Sequence, residues 1–253
     1  KDVEKDFDYI ESNTNNKQSI YLIKGFLPLS NREIDFNIYL KTSFNYVKMP
    51  KSINNEGGSQ YTYSFWLFID DWEYKYGKPK CVFYRGDSDG NNANPSVWLY
   101  PKENKLMIRF QTFTYGSERL SMPEMNPLKN PSILNDNMVC DIDNIPLQKW
   151  VHVVIVLWNR TSDVYIDGKL TRSCILPGVP QMNEEHLHIT PHGGFSGNIS
   201  KMLVISRAWN PDAIYDEYLK GPLDKSLWKR LFGKINLGIS IKAKSGDHEF
   251  STS

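Results

Sequence analysis

The chain has 253 residues, and 30 basic against 29 acidic side chains give a formal net charge of +1. That length buries a full core without metal or disulfide staples, and near-neutrality excludes a polyelectrolyte binder of nucleic acid, which carries a large excess of one sign. Sixteen glycines and 14 prolines exclude collagen-like and low-complexity chains, and the longest apolar run, 150–158, contains His152 and falls well short of the ~20 residues of a membrane-spanning helix.

Residues 1–19 are polar and mixed in charge, with Asp2, Glu4, Asp6 and Asp8 among lysines, and read as an N-terminal arm. From Ile20 onward the pattern is that of strands. Residues 36–40 and 45–49 alternate at period two, and 61–69 is almost wholly aromatic, apolar or hydroxylated. Further runs at 81–84, 96–100, 106–113, 150–158, 163–166, 169–175, 186–189 and 199–206 are short, and most are followed by Gly, Pro, Asn or Asp. Such a series predicts an antiparallel sandwich or barrel.

Residues 151–157 are apolar on both faces, which predicts a strand in the middle of a sheet. Asp167-Gly168 between two strand runs predicts a two-residue turn with positive φ. Asn210 as N-cap, Pro211 at the first helical position and Asp212 near the positive dipole end open a short helix. Lys220-Gly221-Pro222 closes it. A second helix is expected over 224–232 and a last strand over 235–241.

The run Phe195-Ser196-Gly197-Asn198-Ile199-Ser200-Lys201-Met202-Leu203-Val204-Ile205-Ser206-Arg207-Ala208-Trp209 resembles the final strand and turn of laminin-G-like, concanavalin A-type lectin/glucanase domains. Leu147-Gln148-Lys149-Trp150-Val151-His152 followed by Val164-Tyr165-Ile166-Asp167-Gly168-Lys169-Leu170 resembles that family's central hairpin, and Tyr63-Ser64-Phe65-Trp66-Leu67 its early strand. The pieces keep the family's order over residues 36–220. The resemblance implies an all-β, antiparallel jelly-roll sandwich over 20–221, and the helix and strand patterns beyond it read as a basic extension over 222–253.

A narrower set is similar to the versions encoded by large DNA viruses of algae and protists: Gly57-Gly58-Ser59-Gln60-Tyr61, Tyr84-Arg85-Gly86-Asp87, Cys140 ahead of Ile145-Pro146-Leu147, and Arg172-Ser173-Cys174-Ile175. That similarity implies a non-enzymatic structural or interaction module, a minor capsid or membrane-associated virion protein among other virion or capsid proteins. The alternative is a secreted or cell-surface carbohydrate-binding, lectin-like domain. The chain begins at Lys1, so a signal or anchor ahead of it is left open.

The related glucanases set two carboxylates about 5 to 5.5 Å apart across the glycosidic bond. No acid-x-acid-x-x-acid strand occurs here; Asp141 and Asp143 share i, i+2 spacing, with a solvated rim as the plainer reading. No enzyme is therefore expected. Trp72, Tyr74 and Tyr76, spaced by two among charges, suit stacking on a sugar or burial against a partner, or simple cover for the sandwich edge. Asp87, Asp89 and Asn91 beside Gly90 offer hard oxygen ligands suited to calcium, though an Asx-rich turn has the same composition. No other cofactor is implied. His186, His188 and His192 lack a carboxylate or thiol partner at metal spacing.

Asn159-Arg160-Thr161 is a glycosylation sequon at a strand end, and Arg85-Gly86-Asp87 spells an integrin-type tripeptide that also suits a turn. The viral similarity keeps Cys140 and Cys174 on either side of the central hairpin, which implies a disulfide there and leaves Cys81 a buried thiol. Residues 222–244 carry Lys225, Lys229, Arg230, Lys234, Lys242 and Lys244 against Asp224 alone. Trp228, Lys229, Arg230 and Phe232 on that amphipathic stretch are candidates for contact with an anionic membrane or a partner.

Overall fold

A computed structural model describes residues 19–21, 26–28, 54–55, 58–87, 90, 93–113, 126–134, 140–181 and 185–222. Within them two antiparallel sheets face each other. The eight-stranded sheet holds β1 (Ser19–Tyr21), β15 (Gly197–Ile205), β4 (Gly58–Ile69), β10 (Trp150–Trp158), β11 (Thr161–Ile166) and β12 (Lys169–Ile175) in that order. To it β2 (Phe26–Pro28) adds beside β15, and β3 (Asn54–Asn55) beside β4. The five-stranded sheet runs β14 (His186–Ile189), β5 (Lys80–Gly86), β6 (Ser96–Leu99), β7 (Lys105–Arg109), β9 (Ile142–Asp143). A separate ribbon pairs β8 (Thr112–Phe113) with β13 (Val179–Pro180).

Period-two alternation decides which side chains enter the core. Tyr61, Tyr63, Phe65, Leu67 and Ile69 of β4 and Val151, Val153, Ile155 and Leu157 of β10 point between the sheets. They meet Phe83, Val97, Leu99, Leu106 and Ile108 of the opposing sheet. β10 lies between β4 and β11, the interior position its two apolar faces predict. Its outward residues Val154 and Val156 are buried with Tyr165 under Ile214 of helix α1 (Pro211–Leu219). Asn210 caps that helix, its Oδ1 accepting from the Ala213 amide at 2.9 Å, and Gly221 beyond its end has φ 71°.

The hairpin between β11 and β12 turns at Asp167 and Gly168, with φ of 50° and 75°. Gly168 is needed twice over, because a Cβ there would also meet the Tyr215 ring at 3.0 Å. The strand expected over 106–113 is two: the chain passes from β7 through Phe110, which enters the core, and β8 then leaves the sheet to pair β13. The strands expected at 36–40, 45–49 and 235–241 and the helix at 224–232 lie outside the described residues.

The outer face of the five-stranded sheet is buried as well. Cys81, Tyr84, Trp98 and Met107 form a second cluster covered by Ala93, Ile133, Leu134 and Trp72. Cys140, just ahead of edge strand β9, is joined by a disulfide to Cys174 on edge strand β12, at Cα–Cα 5.7 Å. The crosslink therefore ties together one edge of each sheet, and Arg172 beside it donates to the Asp141 carbonyl at 3.0 Å.

Candidate functional site

The turn after β4 leaves the sandwich at Asp70 and returns at Lys80, carrying Trp72, Tyr74 and Tyr76. Asp71 organises it. One carboxylate oxygen accepts from the Tyr74 amide at 3.0 Å and the other from the Ser196 hydroxyl at 2.9 Å. The Tyr74 bond is the chief reason the Asp71 pKa is lowered. Trp72 is half-buried against both apolar clusters, with the Lys80 ammonium 4.9 Å from its ring centre. Burial lowers the Lys80 pKa to about 8, and its Nζ donates to the carbonyls of Tyr100 and Pro101.

Tyr74 and Lys75 hold a second loop, 190–194, against the first. The Tyr74 hydroxyl donates to the Gly193 carbonyl at 2.8 Å, and the Lys75 ammonium donates to the His192 carbonyl. Thr190 and His192 both have positive φ, 51° and 58°, a conformation this clamp helps hold. The exposed His192 ring lies parallel to Tyr84 and Trp98, each 6.1 Å away. Of the three aromatics singled out in the sequence, Trp72 and Tyr74 thus support the structure, and Tyr76, 63% exposed, presents its ring. The first loop exposes Tyr76, and Lys75 beside it in sequence reaches the second loop at His192.

At the other end of the sandwich, Asp87 follows β5, half-buried, and its carbonyl accepts from the Gly90 amide at 3.1 Å in a turn with Gly90 φ 78°. Asp89 and Asn91 lie outside the described residues, and among the described residues no group of three His, Cys, Asp or Glu side chains could hold a metal ion. Arg85 is buried and its Nε donates to the Glu185 carbonyl at 3.1 Å, so the Arg85-Gly86-Asp87 tripeptide is not displayed as a recognition loop. Asn159 sits exposed in the two-residue turn between β10 and β11, with φ 54°. Trp228, Lys229, Arg230 and Phe232 lie outside the described residues.

Asp141 and Asp143 have different partners. Arg109, only 3% exposed, bonds Asp141 at 2.5 Å, and the Tyr100 hydroxyl donates to the same carboxylate at 2.5 Å. The Arg109 guanidinium also donates to the Ile133 carbonyl at 2.9 Å, fastening the segment that covers the outer sheet face. Asp143 is exposed and pairs with Lys105 at 3.5 Å. His188 has its Nε2 3.1 Å from the Gly86 carbonyl, with its ring against Tyr84.

Two features are left unassigned by the sequence. One is that Arg109 network. The other is the fully buried His152, whose Nε2 is hydrogen-bonded to Ser64 Oγ at 2.9 Å and whose ring packs against Trp66 and Tyr218 of α1, which also touch each other at 5.8 Å. Burial first, and the Lys201 charge second, lower its pKa to about 4. A lone polar residue within the apolar run 150–158 was the only available signal.

A family model described as the concanavalin A-like lectin/glucanases superfamily matches residues 41–215. No curated protein sequence matches the chain. Among solved structures, the receptor binding domain of botulinum neurotoxin C/D mosaic serotype is similar at 12% identity, over 64% of this chain and 36% of that one, with a TM-score of 0.44. The binding domain of botulinum neurotoxin DC, in complex with SialylT, is similar at 14% identity over 66% and 37%, TM-score 0.42. A structure of botulinum neurotoxin type C, whose cell entry depends on two ganglioside molecules, is similar at 11% identity over 64% and 36%, TM-score 0.41. The chain spans little more than a third of these neurotoxin chains.

Proposed function

The chain belongs to the concanavalin A-like lectin/glucanases superfamily, and on that premise we propose that it is a non-enzymatic binding module with a rigid sandwich as its platform. The observation that carries this reading is that the chain itself covers the central part of both outer sheet faces. Helix α1 lies on one, and Trp72 with residues 131–134 lies on the other, where Arg109 and Tyr100 engage the Asp141 carboxylate. A glucanase needs an open groove with two available carboxylates. Recognition is left to the loops and edges, as is usual for a rigid scaffold.

We place the module in the particle of a large DNA virus, as a minor capsid or inner-membrane-associated protein bound to other virion proteins; the similarity of its sequence to viral versions supports this. Fractionating virions through density gradients, with and without detergent, tests it. Banding with particles supports the reading, and absence from them refutes it. Release of reducing sugar from polysaccharides by the pure chain would refute the non-enzymatic part.

The exposed Tyr76 ring, on the loop that Lys75 fastens to His192, favours a second reading, a secreted or cell-surface carbohydrate-binding, lectin-like domain. On a glycan array, Tyr76→Ala then loses signal that the wild type shows. Calcium at Asp87, Asp89 and Asn91 is a further proposal. It predicts a rise in melting temperature with added calcium, reversed by chelation and absent in Asp87→Ala.

A further inference from the structure

Among the described residues ten large apolar side chains are exposed, and four of them, Trp158, Ile175, Val179 and Phe113, gather at one end of the sandwich. The registers bring them there. Trp158 of β10 pairs with Thr161 of β11, and Thr161 pairs with Ile175 of β12, so Trp158 and Ile175 stand on one face with a threonine between them. Val179 and Phe113 are direct partners in the β8–β13 ribbon. The ribbon is fastened to the same end, because the Asn94 amide donates to the Gln111 and Gln181 carbonyls while its oxygen accepts from the Tyr61 hydroxyl. Tyr61 in turn pairs with Leu157, next to Trp158. Trp158 is 59% and Ile175 81% exposed.

A cation lies among them. Arg160 belongs to the turn between Trp158 and Thr161, and its guanidinium reaches across to the segment that links Ile175 with Val179. Its Nε and Nη2 donate to the Leu176 and Pro177 carbonyls at 2.8 to 3.1 Å. Those acceptors carry no net charge, and among the described residues no carboxylate pairs with Arg160. Asp163, the acid on the neighbouring strand, accepts from the Ser173 hydroxyl.

We propose that this end is a membrane-docking surface, on which Trp158, Ile175, Val179 and Phe113 enter the interfacial layer of an anionic bilayer while Arg160 meets a lipid phosphate. Tryptophan at the headgroup level and cations toward anionic lipid are the physical basis. A guanidinium matches phosphate geometry better than an ammonium does. A second copy of the chain fits less well. Two such ends brought together would face Arg160 against Arg160, whereas an anionic surface satisfies both the charge and the protruding apolar groups. The surface is separate from residues 222–244, and the inference does not rest on a virion setting. A glycan on Asn159, in the same turn, would stand inside the surface, so glycosylation there and docking exclude each other.

The test is sedimentation of the full chain with phosphatidylcholine vesicles, with and without phosphatidylserine. The wild type should bind the phosphatidylserine vesicles. Trp158→Ser with Ile175→Ser should weaken binding at least tenfold with an unchanged melting temperature, and Arg160→Lys should keep part of the anionic-lipid dependence. Should the double variant unfold, Val179→Ser with Phe113→Ser reads the other half of the surface. No wild-type binding, equal binding by the folded variants, or binding removed only by deleting 223–253 overturns the proposal. So does a concentration-dependent dimer that the double variant abolishes, since the occupant is then protein.

Discussion

Acidification should detach stability from this fold in a defined window, and His152 is the group responsible. Its ring is buried against Trp66 and Tyr218, its Nε2 is committed to Ser64, and among the described residues its Nδ1 has no partner. The group facing it from β15 is Lys201, another cation. A proton on this ring would therefore bury a charge with a missing acceptor. The pKa falls from 6.5 to about 4, so the folded state resists a proton that the unfolded chain takes up readily. Stability from the neutral ring is fully present above 6.5, declines as pH falls toward 4, and is gone below it. At 1.36 kcal/mol per pKa unit the whole effect is about 3 kcal/mol, with about 2 kcal/mol of it lost between pH 7 and pH 5. Urea unfolding followed by tryptophan fluorescence, on wild type and His152→Gln with the disulfide intact, measures it. The other histidines are common to both proteins and cancel. The wild-type advantage should shrink by about 2 kcal/mol over those two pH units. A difference that stays level with pH, or an NMR titration placing His152 near 6.5, would refute the reasoning.

Arg109→Met leaves the Asp141 carboxylate without its buried partner and frees the cover at Ile133. Urea unfolding should show a loss of about 3 to 5 kcal/mol, and a loss below about 1 kcal/mol would mean that water reaches Asp141 freely. Asn210→Ala removes the cap of α1 and should cost about 1 kcal/mol, with amide exchange accelerated in 212–214 ahead of the sheets. Uniform acceleration through β10 would show that helix and sheet open as one unit.

The parts of this fold that follow from neighbours in the chain were legible. β10 declares itself by an apolar run on both faces, the hairpin by Asp167-Gly168, and α1 by Asn210-Pro211 at its start and Gly221 past its end. Each signal is local, and each element forms where the signal stands. The long-range partnerships were hidden. Asp141 meets Arg109 from 32 positions away and Tyr100 from 41, and Tyr74 reaches Gly193 across 119. Nothing near Tyr74 distinguishes a ring that clamps a loop from one that awaits a ligand, so the aromatic spacing of 72, 74 and 76 reads as one cluster although only Tyr76 is free to act as one. The same limit applied to 106–113, where strand propensity continues unbroken through the point at which the chain changes sheets.

The length of the central strands has a geometric consequence for how such a module works. β4 pairs Gln60 with Trp158 near one end and Phe68 with Trp150 near the other. Residues 60 to 68 of an extended strand span about 25 to 30 Å. The Tyr76 surface, which grows from the turn after β4, and the Trp158 surface are therefore held at opposite ends of one stiff body, on loops that share no residue. A ligand at one end leaves the other end free. If docking is confined to the Trp158 end, Tyr76→Ala leaves vesicle binding unchanged while Trp158→Ser leaves any glycan signal unchanged. Loss of both activities from either single variant would show that the ends are not independent.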